Sequence, residues 1–67
     1  MEDKQKILDA LLQTLRLTRS LYDLEELTYE PLTETVYCKF ETGAARRVNV
    51  AMDSGTAMIK DVMSVLG

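Results

Sequence analysis

From Ile7 to Tyr22 the apolar residues Ile7, Leu8, Leu11, Leu12, Leu15 and Tyr22 recur at intervals of three and four, the repeat of one stripe on an α-helix. Glu2 and Asp3 stand at the start of this segment and Arg16 and Arg19 near its end, as the helix dipole favours. The spacing predicts a helix over about 3–21. Ala10, Leu17 and Leu21 fall on a shoulder beside the main stripe, which predicts apolar surface beyond what one core contact needs.

After Asp23 the repeat shortens toward two. Leu27 and Tyr29 alternate with Thr28 and Glu30, and Pro31 ends the run, predicting a short edge strand over about 25–30. "TVYCKFE" places Val36, Cys38 and Phe40 on one face and Tyr37, Lys39 and Glu41 on the other. "RRVNVAM" continues with Val48, Val50 and Met52 inward, and Gly43 between the two runs supplies a tight connection. Strands are expected over about 35–41 and 46–52, joined as a hairpin. Beyond "DSGT", Met58, Ile59, Val62, Met63, Val65 and Leu66 cover one broad side of a second helix over about 55–66.

The predicted order is helix, strand, strand, strand, helix in a single domain spanning 1–67. The fold class is α+β: a three-stranded antiparallel sheet with both helices on one face and the opposite face left to solvent or to an interface. At 67 residues the chain is near the lower limit for one self-sufficient core, so apolar surface left over by the fold points to a partner surface.

The net charge of −3 changes this picture through its layout. Residues 20–38 hold Asp23, Glu25, Glu26, Glu30 and Glu34 and no base, whereas the flanking segments are mixed. Acids and a proline on an edge strand discourage pairing with a foreign strand, so edge protection is the favoured account of the acidic belt, and engagement of a basic partner or mimicry of nucleic acid is the alternative. The early segment is broken by Asp9, Arg16 and Arg19, so neither a secretory signal nor a membrane-spanning helix fits. With one cysteine, Cys38, no disulfide can close within the chain, and a reducing, cytoplasmic setting is expected.

The chemistry available is narrow. There is no histidine, which removes Ser-His-Asp and Cys-His nucleophiles and histidine-held metals. No C-x-x-C or Cys/His cluster suggests zinc, and no cofactor motif is present. Cys38 alternates with Val36 and Phe40 and is expected to be buried filler. The "DSGT" junction lacks the residues of a phosphate loop or a nucleophile elbow, so Asp53 or Ser54 is expected to cap the second helix. An enzymatic role is not expected.

Two interaction readings stand beside that of the acidic belt. The first is self-association, as a homodimer, or capture of another protein, through Ala10, Leu17, Leu21 and Met63. The second is nucleic-acid binding on the open sheet face, with Tyr37 for stacking and Lys39, Arg46 and Arg47 for phosphate. The negative net charge weighs against it, and Arg46 and Arg47 read more simply as a solvated strand start.

In element order and length the chain resembles the double-stranded-RNA-binding domain. That family places a basic cluster at the start of its last helix, where this chain has "DSGTAMIKD" with Asp53, Asp61 and only Lys60, so the resemblance implies topology and carries over no functional residue. The last twenty or so residues, where "RRVNVAMDSG" leads into "TAMIKDVM", also resemble small uncharacterised proteins of bacterial prophages and mobile elements. That likeness implies a bacterial cytoplasmic accessory protein.

Overall fold

The computed structural model describes residues 2–67. Helix α1 (Lys4–Leu15) leads into strands β1 (Leu24–Glu30), β2 (Thr35–Phe40) and β3 (Ala45–Asn49), and helix α2 (Gly55–Leu66) closes the chain. The strands form one antiparallel sheet in the order β1-β2-β3. Leu8 and Leu15 of α1, Met58 and Val62 of α2, and Leu27, Val36 and Cys38 of the sheet belong to one buried cluster. Both helices therefore cover the same sheet face, α1 chiefly over β1 and α2 over β3. Burial of such side chains contributes roughly 1.5–3 kcal/mol each for the larger aliphatics.

The first helix is shorter than its repeat predicts. Asp3 caps its start, the side chain accepting from the Lys6 N–H at 3.0 Å. It stops at Leu15 because the Thr18 hydroxyl donates to the Leu15 carbonyl (2.6 Å) and accepts from the Leu21 N–H (3.3 Å). A β-branched hydroxyl residue offers the backbone a local alternative to the next helical bond. Two expectations fail in consequence. Leu21 is not a helix shoulder: the turn carries it into the core, where it is 8% exposed. Tyr22, placed on the helical stripe by its spacing, lies outside the helix and is exposed.

In β1 strict alternation would put Leu24 and Leu27 on opposite faces, yet both are buried. The pairing slips between Leu24↔Phe40 and Glu26↔Lys39, so Glu25 is the extra residue of a bulge. One additional residue returns Leu24 to the core side. The β2–β3 hairpin closes over Glu41, Thr42 and Gly43. Phe40 N–H donates to Ala44 C=O (2.9 Å) and Gly43 N–H to Phe40 C=O (3.0 Å), with Gly43 at φ 93°. A three-residue hairpin loop needs this left-handed position, which glycine takes at no steric cost.

Strand β3 ends at Asn49, earlier than expected. Val50 still donates to Glu34 C=O (2.8 Å) and is fully buried, but the chain then turns, with Asp53 N–H donating to Val50 C=O (3.0 Å). Met52, expected to face inward with Val48 and Val50, instead occupies that turn at φ 66° and is 98% exposed. The reversal that lays α2 back on the sheet takes up the residues that would have extended the strand.

Candidate functional site

Four surfaces of this fold carry side chains capable of recognition. The first is the uncovered sheet face. Thr35, Tyr37 and Lys39 of β2 stand there beside Thr28 and Glu26 of β1 and Arg47 and Asn49 of β3, through the registers Thr28↔Tyr37↔Arg47 and Thr35↔Asn49. Of the four residues expected to contact nucleic acid, Tyr37, Lys39 and Arg47 are thus brought together. Arg46 is not: it pairs with the inward-facing Cys38 and belongs to the helix-covered side, though it is exposed at the margin. A shallow concavity of about 340 Å³ is lined by Thr33, Thr35, Tyr37, Arg47, Val48 and Asn49. The Asn49 Nδ2–H bond to Thr33 C=O (3.1 Å) ties its rim together. Glu26, opposite Lys39, and Glu30 give the same face a negative border.

The second surface lies between the helices. Gly55 is where they meet: its N–H donates to Glu2 Oε1 at 2.9 Å, and a Cβ there would run into the Glu2 carboxylate and the Ile7 Cδ1. At about 100° per residue, Ile59, Met63 and Leu66 share the flank of α2 that bears Gly55. Ile7 and Leu11 share the facing flank of α1. All five remain partly exposed, Met63 at 37%. Of the residues expected at an interaction surface, Met63 lies here. Ala10 is exposed on the outer side of α1, and Leu17, 89% exposed, stands in the turn beyond that helix. Ala10, Leu17 and Met63 are not one patch, and Ile59 and Leu66 are the residues that the shoulder reading missed.

The third surface is the start of α2. Ser54 is the N-cap, its Oγ accepting from Ala57 N–H at 3.2 Å, and Glu2 accepts from Gly55. The chain's own carboxylate therefore occupies the position where a helix start attracts anions. Asp53 does not cap. Its Oδ2 is buried without a hydrogen-bond partner, and its carboxyl is pushed above the ordinary range by the adjoining Asp61, with burial adding to the shift and Lys4 opposing it. A proton held between the two carboxyls would supply the missing partner. Among the described residues no group of three or more Cys, Asp or Glu side chains is arranged to hold a metal ion. Cys38 is buried, and burial raises its thiol pKa, which removes the thiolate that nucleophilic or redox chemistry requires.

The fourth surface is the pair of sheet edges, which differ. On β1 the groups pointing away from β2 include the Leu27 C=O and the Tyr29 N–H. The Gln5 amide satisfies both, donating to the first at 3.1 Å and accepting from the second at 2.8 Å, while its Nε2 also reaches Asp9 at 2.8 Å. Lys4 lies over the Tyr29 ring at 5.4 Å and covers the same margin. On β3 the groups pointing away from β2 belong to Ala45, Arg47 and Asn49, because Val36↔Val48 and Cys38↔Arg46 are in phase with the hydrogen-bonded Phe40/Ala44 and Glu34/Val50 pairs. These three residues are exposed. Gln5 carried no sequence signal: its partners are 22 and 24 residues away.

No protein-family model matches the chain, and comparison with curated proteins and with solved structures yields no match. No helix among the described residues is long and apolar enough to cross a membrane.

Proposed function

We propose that this chain is a small non-enzymatic protein-interaction module that self-associates as a homodimer by burying the apolar flank shared by its two helices. The observation that supports it most is the set Ile7, Leu11, Ile59, Met63 and Leu66, all partly exposed on facing flanks of α1 and α2. A chain of 67 residues has little core to spare, and symmetric pairing is the commonest way to cover such surface. The setting that goes with this reading is cytoplasmic, consistent with a single free thiol.

Sedimentation equilibrium at tens to hundreds of micromolar tests it. The wild-type chain should be dimeric, and Met63→Lys, which sets a charge on the flank at a position already open to water, should be monomeric with an unchanged far-UV spectrum. A wild-type chain that stays monomeric throughout rejects self-association.

A second reading, nucleic-acid binding, is favoured by one feature, the grouping of Tyr37, Lys39 and Arg47 on the open face. Three such side chains beside Glu26 and Glu30 make a small phosphate footprint. Absence of binding to single-stranded and double-stranded RNA at low salt, where the phosphate contribution is strongest, rejects it.

A further inference from the structure

The two sheet edges carry opposite charge and opposite accessibility. The β1 edge bears Glu25, Glu26 and Glu30, is bent by the bulge at Glu25 and is occupied by the Gln5 amide. The β3 edge is regular in register from Ala45 to Asn49, bears Arg46 and Arg47, and has no proline or bulge to discourage pairing. Of its outward groups, the Ala45 C=O accepts from the Arg46 Nη1 at 3.4 Å, whereas those of Arg47 and Asn49 are those of a strand awaiting a neighbour.

From this asymmetry we infer that the β3 edge binds an acidic, extended segment of another protein by strand addition. The main chain of the segment extends the sheet, and Arg46 and Arg47 select its charge. A residue set antiparallel and directly opposite Arg47 exchanges both N–H···O=C bonds with it, and its side chain lies on the open face beside Arg47. An acid fits there. The next residue toward the segment's C-terminus lies beside Arg46 on the other face and is also acidic; the preceding one lies beside the half-buried Val48 and is apolar. The recognised chemistry is therefore apolar, acidic, acidic, in that order, within an extended stretch free of proline.

A second copy of this chain is a poorer occupant in either orientation. Two β3 edges paired about Arg47 set like charges directly opposite one another. The acidic β1 of a second copy has the right charge, but the Leu27 C=O and Tyr29 N–H of its outward edge are taken by Gln5. This site is separate from the helix flank proposed for self-association, and the monomeric Met63→Lys chain should bind the segment as well as the wild type does.

The test uses the acetylated, amidated heptapeptide TTVEETT, its counterpart TTVKKTT, and TTVEETT N-methylated at the first glutamate, with amide exchange and chemical shifts of the full chain read by NMR at low salt. TTVEETT should slow exchange of the Arg47 and Asn49 amides and shift the β3 resonances, and raising the salt should weaken it. TTVKKTT should fail to bind. The N-methylated peptide keeps the charge but lacks the bridging N–H, and should bind at least ten-fold more weakly. The double variant Arg46→Glu, Arg47→Glu should lose TTVEETT and gain TTVKKTT. Equal binding of the methylated and unmethylated peptides would reduce the contact to charge alone and overturn strand addition. So would no response to millimolar TTVEETT, shifts confined to other elements, or Arg47 and Asn49 amides already protected in the free chain by pairing between copies.

Discussion

The Gln5 side chain accepts the Tyr29 N–H at 2.8 Å and at the same time donates to the Leu27 carbonyl at 3.1 Å, so one amide from α1 reads the margin of β1 as a neighbouring strand would. Acids and Pro31 were the expected guardians of this edge. The acids lie along the strand and Pro31 follows it, but the Leu27 C=O and the Tyr29 N–H are closed by a residue from another element.

Gln5→Ala should cost about 1 kcal/mol, since the freed groups at an edge can turn to water. The larger effect concerns association: an open acidic β1 edge facing the basic β3 edge of another copy permits head-to-tail growth. Light scattering should show concentration-dependent oligomers in the variant that high salt disperses and the wild type lacks. Destabilisation without new association would mean that the acids suffice as protection.

The start of α2 is held by two different oxygens, and each can be removed alone. Ser54→Ala should cost about 1 kcal/mol in urea unfolding, whatever the salt. Glu2→Gln keeps an acceptor for Gly55 but loses the charge, and should cost about 0.3–1 kcal/mol at low ionic strength and less in salt.

Because its folded-state pKa lies above the ordinary carboxylate value, Asp53 favours the folded state when protonated. Its contribution is complete below the unfolded pKa and is lost as the pH climbs through the raised folded value, leaving repulsion from Asp61 at neutral pH. Asp53→Asn should therefore raise the melting temperature at pH 7, and thermal melts from pH 7 downward should show that gain shrinking as the wild-type carboxyl takes up its proton. A gain that is the same at pH 4 and pH 7 would exclude the shared proton.

Cys38 should be inert toward a thiol-specific disulfide reagent in the folded chain, because burial both blocks access and raises its pKa. Labelling should appear with the unfolding transition in urea and not before it. Rapid labelling in buffer would show that the β2 position opens locally.

Much of this fold was legible along the chain. The three-and-four spacing of α1, the alternation of Val36, Cys38 and Phe40, Gly43 at the hairpin and the breadth of apolar residues on α2 are local patterns, and local backbone geometry converts each into an element. The cap at Ser54 belongs with them, since an N-cap acts within three residues of itself.

What the sequence determined, then, was the kind and order of the elements and the inward face of each strand. Their ends were decided elsewhere. Thr18 halts α1 before Leu21 so that Leu21 can enter the core, the bulge at Glu25 rotates Leu24 inward, and the turn at Met52 gives up a strand residue so that α2 can return to the sheet. The interaction surfaces were decided there too. Gln5 meets β1 across more than twenty residues, and Glu2 meets Gly55 across 53. Which edge is closed and which is open depends on these long-range contacts, because a backbone group's partner is set by what packs beside it rather than by the residues next to it in the chain.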